Sequence, residues 1–349
     1  MIKYIVKRLL LIIPTFIGMT MVVSLVTRLA PGGPLEQAIM SYKAQSMSND
    51  GGGSATPSSY SPVDKDSPIS AKQMEELRAH YGLDKPWIVA YVHWLWKFIR
   101  LDFGESFTYY IPVIELIWKK IPVSAYYGFF TFFLTYLVCI PLGILKAFKH
   151  KSLFDTTTSI ITFFGFAIPG YVIAIILLVY FGGNLQWFPL GGFMSDDLDL
   201  EESSVFTIAL DIIYHSILPL ISYMASAFAV LTYYMKSYLL DNIAMDYVRT
   251  AVAKGVPYRK AVINHAVRNS IIPLASGFSG LLMVFFGGSF LVETIFNIDG
   301  LGLFSYQATL NRDFPVIVSM AGIFGVIGLL ATLLGDLIVA IVDPRIKFD

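Results

Sequence analysis

Few residues of this chain have the types and the spacing that enzyme chemistry requires. The sequence contains no Gly-x-x-x-x-Gly-Lys-Ser/Thr run, which would form a loop of backbone amides around nucleotide phosphates. Ser279 lies in Gly277-Phe-Ser-Gly280, and this string does not match the Gly-x-Ser-x-Gly pattern of a nucleophilic serine. His215 and His265 each lack a second ligand at chelating spacing. We therefore predict no catalytic residue, no metal site and no cofactor bound by this chain.

The segment 241–273 has the most distinctive chemistry, because it combines basic side chains with a helical pattern. Its basic residues are Arg249, Lys254, Arg259, Lys260 and Arg268. The stretch from Ile243 to Lys254 contains no helix-breaking residue, and Gly255 favours the left-handed conformation that ends a helix. Pro257 suits the first turn of a second helix. The segment is therefore predicted to form a helix, a glycine corner and a second helix.

The first of these helices has an apolar stripe that needs a binding partner. Its members, at helical spacing, are Ile243, Ala244, Tyr247, Val248 and Ala251. A short amphipathic helix of this kind suits a groove on another protein. The alternative is a basic amphipathic helix that lies on anionic lipid headgroups.

Two strings in this segment resemble the cytoplasmic coupling loop of ABC-importer permeases, most closely that of the dipeptide and oligopeptide branch. They are Tyr247-Val-Arg-Thr-Ala-Val-Ala-Lys-Gly255, followed by Val-Pro, and His265-Ala-Val-Arg-Asn-Ser-Ile-Ile-Pro273. Where the wider family has Glu-Ala-Ala six residues before the glycine, this chain has Arg249-Thr250-Ala251, which matches the peptide branch. The resemblance implies that a cytoplasmic ATPase is contacted by Asp246, Tyr247, Arg249, Thr250, Ala251, Lys254, Gly255 and Pro257.

The composition indicates that the coupling-like segment is positioned by membrane helices. Apolar residues make up 56% of the chain and charged residues 14%, with a formal net charge of zero. Soluble domains have about a quarter of their residues charged, so an ordinary soluble domain is excluded. The neutral balance also argues against a nucleic-acid partner, which would require clustered basic charge. Membrane lipid is therefore the predicted surrounding of most of the chain.

The hydropathy pattern predicts an all-α protein with six membrane spans, each near the roughly 20 residues that a bilayer requires. The predicted spans are Leu9 to Thr27, Ser124 to Leu145, Ile160 to Tyr180, Ile217 to Met235, Ile271 to Val292 and Phe314 to Val342. The resemblance implies that they form the permease fold of type I ABC importers. Lysine and arginine are concentrated at the amino terminus, in the second and fourth loops and in the tail. The positive-inside rule therefore predicts cytoplasmic termini and a cytoplasmic coupling loop.

Three regions follow from this topology. Residues 1–30 form the N-terminal segment and the first span, 31–123 a periplasmic loop, and 124–349 the permease core, in which 236–270 is the coupling loop. Within the periplasmic loop, 41–68 is predicted to be disordered, because its polar and glycine-rich composition cannot bury enough apolar surface. Residues 70–106 are predicted to be helical and aromatic, with Ser70-Ala-Lys-Gln73 as a capping box and an aromatic cluster that would lie at the membrane interface.

Small residues are concentrated in the fifth span, and two interpretations of them remain open. The glycines are Gly277, Gly280, Gly287 and Gly288. Small residues allow membrane helices to pack closely, and they could also line a translocation path and permit kinks. Asp336 is the one acid or histidine within the six predicted spans and is interpreted as a packed carboxylate near the interface. A proton-coupled carrier is therefore disfavoured.

The resemblance extends over nearly the whole chain and implies a function. Further matching strings are Ile140-Pro-Leu-Gly143, Ala167-Ile-Pro-Gly170, the stretch Glu293 to Gly302, Arg312-Asp-Phe-Pro315 and Asp343-Pro-Arg-Ile346. They imply a permease subunit of an ATP-driven peptide importer in the bacterial inner membrane. Its implied partners are a second homologous permease, a periplasmic substrate-binding protein, and a cytoplasmic ABC ATPase of two domains, in one chain or two, that binds ATP and Mg²⁺. The alternatives are a permease for another solute, such as nickel, an opine or a murein peptide, and a non-transporting membrane anchor.

Overall fold

The structure is a computed structural model that describes residues 2–29, 85–199, 201–277 and 288–342. The regular elements in these ranges are helices, and no strand occurs among them, which confirms the all-α class. The predicted disordered stretch 41–68 and the helix predicted after Ser70 lie outside the described residues. The division into the regions 1–30, 31–123 and 124–349 stays a prediction.

Three long apolar helices coincide with predicted spans. Helix α1 is Ile2–Leu29, and α2, a shorter helix, is Trp87–Ile99. Helix α3 is Val113–Phe148 and contains Pro122 and Pro141. The helix that ends the described chain, Phe314–Val342, has the bounds predicted for the sixth span. Helices α1, α3 and Phe314–Val342 are each long and apolar enough to cross a membrane, so the first, second and sixth predicted spans are confirmed as helices.

The third predicted span, Ile160 to Tyr180, is broken and does not form one continuous helix. Helix α4 is Leu153–Ala167 and α5 is Gly170–Leu177, followed by a π-helical segment, Leu178–Asn184. The two parts are bent by 101°. Pro169 causes the break, because a proline disfavours helical backbone in the residue before it, and Ile168 is extended with ψ 124°.

The fourth span is part of a longer helix than the sequence predicted. Helix α6, Val205–Ile243, has 39 residues and is about 58 Å long at the usual rise per residue. Ser204 caps its start by accepting a hydrogen bond from the amide of Thr207. Because α6 exceeds the roughly 30 Å of a bilayer core, it can reach from the membrane to the segment that follows it.

The chain after α6 forms short helices. They are α7, Asp246–Ala253, then α8, Tyr258–Ala261, a π-helical segment, Val262–Val267, and α9, Arg268–Ser276. Helix α10 is Phe290–Ile295, α11 is Leu301–Leu310 and α12 is Phe314–Val342. The predicted fifth span, Ile271 to Val292, lies partly outside the described residues, so the count of six spans stays a prediction.

The chain divides into two compact units. The first comprises 1–12, 119–304 and 326–349, and it contains α4 to α10. One of its apolar clusters is buried among α3, α6, α7 and the segment 261–274. The members of this cluster, called here the inner cluster, are Cys139, Ala147, Leu231, Met235, Leu239, Val248, Ala261, Val262, Ala266 and Leu274.

The second unit, 13–118 and 305–325, is built around aromatic side chains of α2. Tyr91 is buried, donates to the carbonyl of Ile17 at 3.0 Å and lies 2.9 Å from the hydroxyl of Thr20 on α1. Phe98 packs against Phe16 with the ring centroids 5.3 Å apart. Part of the aromatic cluster predicted to lie at the membrane interface is therefore core of this unit.

Candidate functional site

The predicted coupling helix is present but begins later than the sequence suggested. Helix α7 starts at Asp246, because α6 continues through Ile243 and the chain then turns extended at Met245, with ψ 147°. The predicted start at Ile243 is therefore wrong. Asp246 lies in the first turn of α7, where a negative charge interacts favourably with the helix dipole.

Gly255 ends α7 as the sequence predicted. Its backbone has a φ of +91°, which is the left-handed region that favours glycine. The amide of Gly255 donates to the carbonyl of Val252 at 2.9 Å, and the amide of Val256 donates to the carbonyl of Ala251 at 3.1 Å. These two hydrogen bonds form a Schellman motif. Pro257 lies one residue before α8 rather than in its first turn, and its carbonyl accepts from the amide of Ala261.

The apolar stripe predicted for the coupling helix is covered in part by this chain, which corrects the expectation that another protein must cover all of it. Val248 is 2% exposed and belongs to the inner cluster. Ile243 and Ala251 pack against the same cluster, whereas Ala244 and Tyr247 are exposed. Helix α7 therefore packs against a surface formed by α3, α6 and the segment 261–274, which is called here the seat of α7.

The opposite face of α7 is exposed and carries polar and basic groups. Arg249 has a side chain that is 74% exposed and lies 3.8 Å from Asp246. An exposed pair of this kind contributes little to stability. The other exposed residues of α7 and its corner are Tyr247, Thr250, Val252, Ala253, Lys254, Gly255 and Pro257. This face is available to a partner, whereas the face with Val248 is not.

A short hydrogen-bond chain ties the start of α7 to the end of α6. The hydroxyl of Tyr247 donates to Oδ1 of Asn242 at 2.6 Å, and Nδ2 of Asn242 donates to the carbonyl of Tyr238 at 2.8 Å. The hydroxyl of Ser270 on α9 donates to the same carbonyl at 3.1 Å. The outgoing and returning ends of the loop therefore share one acceptor.

A buried ion cluster beside the loop was not found by sequence reasoning. Asp155 is 5% exposed, and Nζ of Lys236 lies 2.8 Å from each of its carboxylate oxygens. Nζ of Lys146 lies 3.6 Å from Oδ1. The two lysines were used only as markers of cytoplasmic loops. A local signal existed, because Ser152-Leu-Phe-Asp155 is a capping pattern, and the amide of Asp155 donates to the Ser152 hydroxyl.

The four glycines proposed for the translocation path are not all described by the structure. Gly280 and Gly287 lie outside the described residues. Gly277 is exposed, and a Cβ added there would lie 3.3 Å from the carbonyl of Leu274. Gly288 has a φ of +58°, and a Cβ there would lie 2.0 Å from Oε1 of Glu293. Both backbone conformation and close packing therefore require glycine at 288.

Glu293 is a buried carboxylate that the sequence analysis treated only as part of a family string. It is 1% exposed, and Oε2 accepts from the amide of Leu303 at 2.6 Å. Oε1 accepts from the hydroxyl of Tyr223 at 3.3 Å. Gly300 and Gly302 lie against the same carboxylate. The sequence signal that could have indicated these contacts of Glu293 is the spacing of an acid and several glycines in 288–302.

Two further carboxylates join segments that are distant in sequence. In the second unit, Asp313 accepts from the amides of Phe107 and Thr108, each at 3.1 Å, and from the hydroxyl of Ser106. In the first unit, Asp336 lies 2.6 Å from Nη2 of Arg8 and accepts from the hydroxyl of Tyr4 at 2.8 Å. Asp336 is thus a paired carboxylate, as its predicted packed position requires.

The histidines considered as ligands have ordinary positions. Nδ1 of His215 lies 2.9 Å from the carbonyl of Asp211, one turn earlier on α6, and 3.5 Å from its Oδ2. His265 is exposed on the segment 262–267. Neither contact suggests chemistry beyond local packing.

Comparison with known proteins defines the class to which these features belong. The family described as "Binding-protein-dependent transport system inner membrane component" matches residues 139–348, and the chain belongs to this family. The matched residues include α7, Gly255, the ion cluster and Glu293.

Similar proteins extend the match over the full chain. The chain is 39% identical to "Peptidoglycan transport system permease protein YejB" of Agrobacterium fabrum, over 99% of this chain and 98% of that protein. It is 36% identical to "Inner membrane ABC transporter permease protein YejB" of Escherichia coli O157:H7, over 99% of both chains. It is 33% identical to "Oligopeptide transport system permease protein AppB" of Bacillus subtilis, over 100% of both.

Proposed function

We propose that this chain is a membrane-spanning permease subunit of an ATP-driven peptide importer. The observation that carries the proposal is the geometry of α7 in a member of this transport family. One face of the helix is fixed to the chain's own helices through Val248, and the other face is exposed. A helix held in this way transmits a push on its exposed face to α3 and α6 as a rigid body.

The partner that displaces α7 is a cytoplasmic ABC ATPase. ATP and Mg²⁺ bind not to this chain but to that ATPase. The exposed residues Arg249, Thr250 and Lys254 contact it, and Gly255 fixes the angle at which α7 leaves the loop. Closure of the ATPase around ATP shifts the spans between two arrangements that open to opposite sides. ATP acts only through its different affinity for those arrangements.

The remaining partners follow from the family and from the charge distribution. A second homologous permease completes the pair, and a periplasmic substrate-binding protein delivers the solute to the outer face. Basic residues at the amino terminus and in the coupling loop support a cytoplasmic location for both, with 31–123 in the periplasm. The assembly lies in the bacterial inner membrane.

Peptides are the proposed substrate class because similar proteins that cover the whole chain have names that include oligopeptide and peptidoglycan transport. Murein peptides are a narrower candidate, which the name of the Agrobacterium fabrum relative favours. Nickel and opines, considered from the sequence, have no such support among these three relatives.

Reconstitution of the complete importer tests the proposal. The chain, the second permease, the ATPase and the binding protein are reconstituted in proteoliposomes. Uptake is measured for radiolabelled penta-alanine and for labelled murein tripeptide, and amino acids and nickel are tested as competing solutes. We expect ATP-dependent uptake of at least one of the two peptides, and no uptake when this chain is omitted. ATP-dependent uptake of nickel alone, or uptake that needs no ATP, would contradict the proposal.

A further inference from the structure

Three helices meet at the buried ion cluster formed by Lys146, Asp155 and Lys236. Lys146 lies near the end of α3, Asp155 in the first turn of α4, and Lys236 on α6. The side chain of Asp155 is 7% exposed and that of Lys146 is 3% exposed. Nζ of Lys236 on α6 is 2.8 Å from both carboxylate oxygens, and Nζ of Lys146 on α3 is 3.6 Å from Oδ1. One carboxylate therefore joins α4 to two other helices.

The two lysines and one backbone amide that face the carboxylate favour its charged form. Besides the two lysines, the amide of Lys151 donates to Oδ2 at 3.1 Å, and Nδ1 of His150 lies 3.5 Å from the same oxygen. A buried carboxylate with several donors of this kind fixes the positions of the groups around it.

Lys146 attaches to α4 by more than its contact with the carboxylate. Its Nζ donates to the carbonyl of Asp155 at 3.2 Å, to the hydroxyl of Thr158 at 2.9 Å and to the hydroxyl of Ser159 at 2.8 Å. The three donors of the ammonium group are therefore directed at the first two turns of α4. Lys236, in contrast, contacts α4 through Asp155.

The ion cluster is adjacent to the seat of α7. Lys146 precedes Ala147 on α3, and Lys236 follows Met235 on α6. Ala147 and Met235 both belong to the inner cluster that buries Val248. The helices that hold the coupling helix are therefore the helices that Asp155 binds to α4.

Helix α4 ends at the 101° bend before α5. A displacement of its first turn would thus be delivered to the bend at Ile168 and Pro169, where the helical hydrogen bonding is interrupted. At Gly170, just after the bend, an added Cβ would lie 2.9 Å from the carbonyl of Ser222, so α5 passes close to α6 there.

We propose that Asp155 is a positioning residue that makes α4 move together with α3, α6 and the coupling helix α7 when the ATPase closes. This inference rests on the proposed function, because it needs a partner that displaces α7. It adds a route from the exposed loop to the broken span, in which one buried carboxylate joins α4 to α6.

A distance measurement tests the mechanical part without any substrate. Spin labels are attached to cysteines at Leu153, at the start of α4, and at Val252, near the end of α7, with Cys139→Ala as background; both label positions are exposed. In the complete importer, the distance between the labels should stay unchanged on addition of a non-hydrolysable ATP analogue. In the Asp155→Asn variant, the distribution of distances between the labels should broaden or shift when the analogue is added. An unchanged distance in the Asp155→Asn variant would overturn the proposal.

Uptake of radiolabelled penta-alanine per ATP hydrolysed tests the functional part. Asp155→Asn should lower this ratio about tenfold while the ATPase rate stays within about twofold of wild type. Asp155→Glu, which keeps the charge, should restore most of the ratio. Asp336→Asn is the matched control, because it also breaks a carboxylate's contact with a basic side chain, Arg8, and it should leave the ratio unchanged.

A double variant separates positioning from charge balance. Asp155→Asn with Lys236→Gln also removes the ammonium group of Lys236 that the first substitution leaves without its carboxylate, so it should recover thermal stability but not the uptake ratio. Recovery of both would overturn the proposal, as would loss of the ratio in Asp336→Asn. If the wild-type importer takes up murein tripeptide but not penta-alanine, the ratio is measured with the murein tripeptide. If it takes up neither peptide, the proposed substrate class fails, and the label distance alone decides the inference.

Discussion

Single residues set the shape of the coupling loop, and Gly255 is the clearest case. Its φ of +91° and its amide hydrogen bond to Val252 together close α7. A Cβ added at Gly255 would meet no atom within 4 Å, so the requirement comes from the backbone and not from crowding. Substitutions at this position therefore test backbone conformation alone.

Gly255→Pro should separate ATP hydrolysis from uptake while membrane insertion stays intact. Proline fixes φ near −65° and removes the amide, so the end of α7 should unwind at a cost of about 3 kcal/mol. Gly255→Asn is the control, because asparagine tolerates the left-handed region and keeps the amide. Uptake per ATP in proteoliposomes should fall strongly for proline and little for asparagine. Wild-type uptake with proline at 255 would refute the assigned role of this corner.

Glycines 277 and 288 should respond differently to a methyl group. Gly288→Ala places a Cβ against Oε1 of Glu293 in a left-handed conformation, so it should lower thermal stability by about 2 kcal/mol or more. Gly277→Ala meets its nearest atom at 3.3 Å and should have a small effect. Thermal unfolding of the purified permease pair measures this difference. Equal stability of the two variants, with transport lost only in Gly288→Ala, would instead favour a role in the translocation path.

The sequence predicted residues whose role is local and missed those whose partners are distant. Gly255 was predictable because a glycine after an uninterrupted helical stretch has a local meaning. The role of Asp155 depends on Lys236, which is 81 positions away, and that of Glu293 depends on Tyr223, which is 70 positions away. Periodicity and composition carry no information on contacts between residues so far apart in sequence, so these contacts can be identified only in the folded structure.

At the scale of elements, α7 works because its two faces have different neighbours. Val248 is buried in the inner cluster, whereas Thr250, which points away from Val248, is exposed. The helical pattern identified the apolar stripe but could not tell whether another protein or this chain covers it. The same limit applies to α4 and α5, where hydropathy predicted a span and the bend depends on the backbone before Pro169.

Val248→Ala should loosen α7, and Val252→Ala should not. Loss of the two buried methyl groups should weaken the docking of α7 by about 2 kcal/mol. Hydrogen exchange of the backbone amides in 246–256 should then become faster by roughly tenfold or more, because exchange reports local opening. Equal exchange in the two variants would show that the contact of Val248 with the inner cluster does not hold the loop.

At the scale of the whole molecule, the all-α class and most span positions follow from hydropathy. Helix α12 has the predicted bounds of the sixth span, whereas α6 extends beyond the predicted fourth span at both ends. Hydropathy measures the part of a helix that suits lipid, so it underestimates a helix that continues into water. Membership of the transport family gives the extension of α6 its meaning, since it leads directly to α7.

Site-specific photo-crosslinking tests the central claim most directly. A photoreactive amino acid is placed at Arg249 or Val252, both exposed on α7, and at Tyr110, which is 81% exposed in the first predicted periplasmic loop, as control. In the assembled importer, positions 249 and 252 should crosslink to the cytoplasmic ATPase and position 110 should not. Crosslinks from α7 to the substrate-binding protein, or none to the ATPase in a complex that hydrolyses ATP, would contradict the account.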